Sequence, residues 1–129
     1  MRKDEYEFVA ILSAADEKRF ARETAERPDA KPRKGAHQIA DDALTLIRYG
    51  RTLHGLAERA CNGYHDDDEA NRDDAKARRL EEKAGKIAAE YGGTVETQGD
   101  PRGACLRLHL PTGVYNTWGG MEAGYAVPL

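Results

Sequence analysis

The chain has 129 residues, of which 40% are hydrophobic and 33% charged, with a formal net charge of −3. A chain of that length suits one domain and buries about two-thirds of its unfolded surface, so its core needs neither disulfide nor metal. No segment is basic enough to announce nucleic-acid binding by charge, and no apolar run reaches the roughly 18 residues of a membrane span. The opening MRKDEYEF carries no apolar leader. The expectation is a cytoplasmic protein with no membrane partner and with Cys61 and Cys105 as unbridged thiols.

Residues 1–35 read as a separate N-terminal segment. Glu5 to Leu12 suits a short strand ending at Leu12, and Ser13 with Asp16 resembles an N-cap pair opening a helix from about Ala14 to Glu26. The rival reading is one continuous helix over residues 4–26. Pro28, Asp29, Pro32 and Gly35 then suggest a linker or arm, in which Lys31, Arg33 and Lys34 are solvated charge.

Residues 36–129 read as the main domain. Ile39, Ala43, Leu46, Gly50, Leu53, Ala57 and Ala60 recur at steps of four and three, one stripe along a helix. Asn62-Gly63 supplies a stop, because Gly adopts positive φ cheaply. Ala70, Asp73, Ala77, Leu80, Ala84, Ile87 and Tyr91 form a second stripe, closed by Gly92-Gly93. Folding the helices back on each other pairs Leu53 with Ala77, Gly50 with Leu80, Leu46 with Ala84 and Ala43 with Ile87, large against small in every layer. The acidic run Asp66 to Glu69 suits the second helix's start, and Arg78, Arg79, Lys83 and Lys86 its later turns. Leu44, Ile47 and Leu56 lie off this seam and need another partner.

The C-terminal third reads as β: a strand from Thr94 to Gln98, a turn at Asp100-Pro101-Arg102-Gly103, and an alternating strand from Ala104 to Leu110. Pro111-Thr112-Gly113 turns the chain into Val114 to Trp118, and Tyr125 to Val127 suits a last edge strand. The fold class is therefore α+β: an antiparallel helical hairpin of two long helices packed on a small antiparallel β-meander, plus the N-terminal segment.

For chemistry the sequence offers little. Cys61 near a helix C-terminus reads as a buried structural thiol, because that position raises rather than lowers a thiol pKa. The acidic run lacks the spacing of a calcium loop. His37, His54, His65 and His109 form no metal-binding or catalytic pattern, so no cofactor or metal is expected and no catalytic residue is assigned. Arg102 in its turn suits a phosphate contact or a plain hairpin. Trp118, beside Asn116 and followed by Gly119-Gly120, suits either an aromatic recognition site or a plug in the core. Arg102 and Trp118 are both strand-end features expected on one end of the meander. The candidate binding set is Asp100, Arg102, Arg107, His109, Asn116 and Trp118.

Cys61-Asn62-Gly63, Gly99-Asp100-Pro101-Arg102-Gly103 and Asn116-Thr117-Trp118-Gly119-Gly120, in this order, resemble motifs in a group of small proteins of tailed bacteriophages and prophages. The resemblance covers residues 36–129 and implies no activity. It implies work inside an infected bacterium, by association with its genomic company rather than by chemistry. Three functions follow in order: a non-enzymatic accessory protein binding a host or phage macromolecule, a protein first of all, such as an inhibitor of a bacterial defence system; a nucleotide- or nucleic-acid-binding module using Arg102, Arg107, His109 and Trp118; and an enzyme of unrecognised type built on Asp100, Arg102, His109 and Asn116. The oligomeric state has no sequence signal.

Overall fold

A computed structural model describes residues 2–98 and 105–117. It is an α+β fold of three helices, α1 (Lys3–Glu26), α2 (Ala36–Asn62) and α3 (Asp67–Glu90), followed by strands β1 (Thr94–Gln98), β2 (Cys105–Leu110) and β3 (Gly113–Asn116). The strands form one antiparallel sheet in the order β1-β2-β3. The turn at Asp100 to Gly103, Trp118 with its glycines, and the expected strand at Tyr125 to Val127 lie outside the described residues.

The N-terminal segment corrects the expectation of a strand to Leu12: α1 is one helix from Lys3 onward. Its buried residues Phe8, Leu12 and Ala15 stand four and three apart, a helical stripe that the continuous apolar run Phe8 to Leu12 conceals. The N-cap is Arg2, whose backbone N–H donates to the Glu5 carboxylate at 2.9 Å, and not Ser13, which falls within the helix. Phe8, Leu12 and Ala15 belong to the same hydrophobic core as Leu46 and Ile47 of α2 and Leu106 and Leu108 of β2. Of the off-seam residues, Ile47 and Leu56 are buried and Leu44 is half-buried. Both α1 and β2 pack on α2, so the second partner that α2 required is shared between them.

Ala43, Leu46, Gly50, Leu53 and Ala57 are buried along α2, and Asp73, Ala77, Ala84 and Ala88 along α3. Arg59 of α2 reaches Glu69 and Asp73 of α3, whereas Asp42 of α2 meets Tyr91 just beyond α3. The cross-links therefore run in opposite order along the two helices. One layer departs from expectation. The atoms nearest to a Cβ built at Gly50 belong to Thr117, with Oγ1 at 2.0 Å, and not to Leu80. Thr117 is buried and is held there by its own N–H, which donates to the Leu106 carbonyl at 3.0 Å. The glycine admits the chain leaving β3.

Gly63, the C-cap of α2, has φ +88, so the stop read from Asn62-Gly63 is present. Cys61 is a free thiol, and it is exposed, not buried. It follows Ala60 by one residue, which on a helix turns it about 100° off the stripe. At the start of α3, Asp66 accepts the Glu69 N–H at 2.7 Å as N-cap. Glu69 in turn accepts the His65 N–H, and this bond and then Arg59 hold its carboxyl below the ordinary value. At the other end, Arg78, Arg79, Lys83 and Lys86 lie from the middle of α3 onward, and the last turn itself holds no basic residue. The cations come from elsewhere: Arg19 Nη1 donates to the carbonyls of Ala89 at 2.9 Å and Glu90 at 2.6 Å, and Arg33 Nη2 donates to the Glu90 carbonyl at 3.5 Å. Groups from α1 and the following segment thus satisfy carbonyls that no further helical turn reaches.

Between α3 and β1, a Cβ at Gly93 would stand 2.3 Å from the His109 carbonyl oxygen and 2.7 Å from Leu110 Cδ2. A backbone oxygen in a paired strand cannot swing aside. Gly93→Ala is therefore expected to cost about 1–3 kcal/mol by overpacking. Urea unfolding that finds Gly93→Ala as stable as the parent contradicts this close approach.

Candidate functional site

The sheet has two unlike faces. Leu106, Leu108 and Leu110 are buried toward the helices. Alternation sends Arg107 and His109 to the opposite face, where both are half-buried. Residues paired across antiparallel strands share a face, so the register sets Glu96, Arg107 and Asn116 in one row and Thr94, His109 and Val114 in the next. Three of the six expected binding residues, Arg107, His109 and Asn116, are thereby brought together. The other three, Asp100, Arg102 and Trp118, lie outside the described residues, and with them the expected phosphate-binding turn.

His109 Nε2 lies 2.9 Å from Glu96 Oε1, a hydrogen bond that becomes an ion pair when the imidazole is protonated. Asn116 Oδ1 is buried and makes no hydrogen bond. A buried acceptor without a donor is costly, and it is the kind of group that a ligand's N–H satisfies. The face thus carries a guanidinium, a carboxylate, an imidazole and an amide in two adjacent rows. That chemistry suits directed hydrogen bonding to a partner.

A second polar cluster, which the sequence reading did not find, lies where the first turns of α2, the segment before it, and the end of α3 meet. Asp42 is 8% exposed; its Oδ2 accepts from Lys34 Nζ at 2.6 Å and from the Tyr91 hydroxyl at 2.7 Å, and its Oδ1 accepts from Gln38 at 3.2 Å. Lys34 also pairs with Glu90, and its ammonium stands 4.5 Å from the centre of the Tyr91 ring. Burial alone lowers the Lys34 pKa, but hydrogen bonds to Asp42 and Glu90 outweigh it and leave the ammonium above its ordinary value. Burial, then the bond to Asp42, pushes the Tyr91 phenol far up, so it stays a neutral donor. The signal available in sequence was Asp42 itself, a carboxylate beside Ala43 on an otherwise apolar stripe, one layer beyond the seam and level with Tyr91. Every group in this cluster already has a partner, which makes it a structural clamp.

Asp16 of α1 is also buried, and its Oδ1 has no hydrogen-bond partner. Burial raises its pKa above 3.8, against the lowering by the Lys34 N–H and by Arg33, Lys34 and Arg19. A carboxyl whose folded pKa lies above its unfolded value favours folding most when protonated, and that contribution is lost as pH rises from the unfolded to the folded pKa. Asp16→Asn should therefore gain on the parent protein as pH rises through the carboxylate range and lose on it toward acid. Melting temperatures of both proteins across that range check the sign; parallel curves remove Asp16 from the account.

Two cavities lie on the helical part. An open hollow of about 420 Å³ is lined by Glu23, Arg27, Asp29, Ala30, Lys31 and Arg33, and a cleft of about 190 Å³ lies where α2 gives way to α3. Among the described residues no helix is long and apolar enough to cross a membrane. No protein-family model matches the chain, and neither a curated protein nor a solved structure matches it.

Proposed function

We propose that this chain is a small phage accessory protein that acts by binding a host or phage protein through the outer face of its sheet, with a component of a bacterial defence system as the expected target. The observation that carries the reading is the row Glu96, Arg107 and Asn116, in which a guanidinium stands opposite an amide whose buried Oδ1 lacks a donor. Arginine is among the residues most enriched at interface hot spots. The phage setting rests on the resemblance of residues 36–129 alone. The frame is part of the same proposal: an antiparallel helical hairpin, supported by the Arg59–Asp73 and Asp42–Tyr91 links near opposite ends, carrying the meander. A nucleotide or nucleic acid is the weaker reading, because Glu96 bonds His109 and sits in the same row as Arg107, where its carboxylate repels phosphate.

The test is affinity capture from host cells with tagged parent protein and Arg107→Ala, read by mass spectrometry and followed by binding of the purified partner. Arg107→Ala is expected to weaken binding by about 2 kcal/mol or more, roughly thirtyfold, while changing the melting temperature little. Unchanged affinity in a folded Arg107→Ala protein removes this face from the proposal. Salt-sensitive binding to single-stranded DNA or RNA by the parent protein, lost in the same variant, replaces it with the nucleic-acid reading.

A further inference from the structure

The cleft between the end of α2 and the start of α3 is walled by Leu56, Ala60, Ala70 and Ala77, and Tyr64, Asp73 and Asp74, the last paired with Arg78, also line it. Its volume of about 190 Å³ is below the roughly 300–1,000 Å³ of ordinary small-molecule sites, so it takes one slender group. Asp73 is 7% exposed, and its Oδ2 is buried without a hydrogen bond. Arg59 Nε lies 3.2 Å from that oxygen, close enough for charge attraction, yet the alignment makes no hydrogen bond. The guanidinium donates instead through Nη2 to Glu69 at 3.0 Å, on the solvent side, where Arg59 is half-exposed. A buried carboxylate oxygen with unused acceptor capacity is thus left facing a small apolar cleft.

We propose that this cleft is a binding site for a primary alkylammonium group, the chemistry shared by a lysine side chain and a diamine. The apolar walls take the methylene stem and Asp73 takes the head. Tyr64 supplies an aromatic face beside the acid, which favours a cation further; burial, then the Asp73 carboxylate, raises the Tyr64 phenol and keeps it neutral. One available oxygen suits the compact ammonium, whereas a guanidinium fork seeks both oxygens of a carboxylate.

The experiment titrates ¹⁵N-labelled protein with Nα-acetyl-lysine-N-methylamide, with the norleucine compound of the same shape, and with putrescine. The expected result is saturable shifts of the Ala60, Tyr64, Asp73 and Ala77 amides with the two ammonium probes and none with norleucine. Asp73→Asn should weaken binding at least tenfold. Should that variant fail to fold, Ala60→Leu, which fills the cleft and leaves every charge in place, carries the same expectation. A tighter response to the blocked lysine assigns the site to a protein partner, and a tighter response to putrescine assigns it to a free diamine. Shifts that never saturate, that norleucine reproduces, or that survive Ala60→Leu overturn the proposal.

Discussion

Phe8→Ala is expected to lower stability by about 3–5 kcal/mol, the loss that follows removal of a fully buried aromatic ring from a packed interior. Phe8 is completely shielded from solvent, and it shares a core with residues of α2 and β2. Were α1 a loosely attached arm, the same substitution would move stability by no more than about 0.5 kcal/mol. Urea unfolding followed by both circular dichroism and Trp fluorescence distinguishes the two, because an integral α1 unfolds in one transition with everything else. Phe8→Leu, which keeps most of the volume, should cost less than about 1.5 kcal/mol and serves as the control. A Phe8→Ala protein with parent stability excludes the packing described for α1.

Asp42→Ala has an expected cost of similar size, about 3–5 kcal/mol, for an electrostatic reason. It leaves the Lys34 ammonium, whose side chain is only 12% exposed, with Glu90 in place of two carboxylates, and leaves the Tyr91 hydroxyl with no acceptor in a fully buried place. Tyr91→Phe removes one donor while Asp42 keeps Lys34 and Gln38, so its cost should be about 0.5–1.5 kcal/mol. Replacing both ends of the ion pair, as Lys34→Met with Asp42→Leu, should recover most of what Asp42→Ala loses, since an apolar pair of similar volume carries no desolvation cost. Denaturant unfolding of the three variants and the parent gives the order. If the double replacement is no better than Asp42→Ala, the damage lies in packing and not in the unpaired charge.

How much of this was legible in the sequence depended on whether a signal was periodic. The stripes of α2 and α3 and the alternation of Leu106, Leu108 and Leu110 repeat several times, and each repeat reinforces the element. The run from Phe8 to Leu12 is apolar at nearly every position, so neither period stands out, and the two residues that decide it, Leu12 and Ala15, straddle the expected boundary. Contacts made far along the chain left no trace: nothing near Gly50 points to Thr117, and nothing near Glu90 announces Arg19. Lys34 looked like linker charge because its partners, Asp42 and Glu90, become neighbours only after folding. For the candidate site, alternation on β2 placed Arg107 and His109 together, while Asn116 joined them through a register that pairing alone determines. The buried Asp73 was visible as a stripe member, but its unused oxygen was not.

The guanidinium groups at the end of α3 bear on the order of events at the ribosome. Domains generally begin to organise from the N-terminal side as synthesis proceeds. The apolar stripe of α1 finds a surface as soon as α2 has emerged, since the two pack directly. Arg19 and Arg33 must wait, because their acceptors are the carbonyls of Ala89 and Glu90. Until then the nascent chain carries two long basic side chains beside an otherwise covered hydrophobic contact, and the last turn of α3 remains free to fray. Late locking of the oldest part of the chain by the newest is thus built into the connectivity, and arrested nascent chains released before and after residue 90 should differ in the protease resistance of α1.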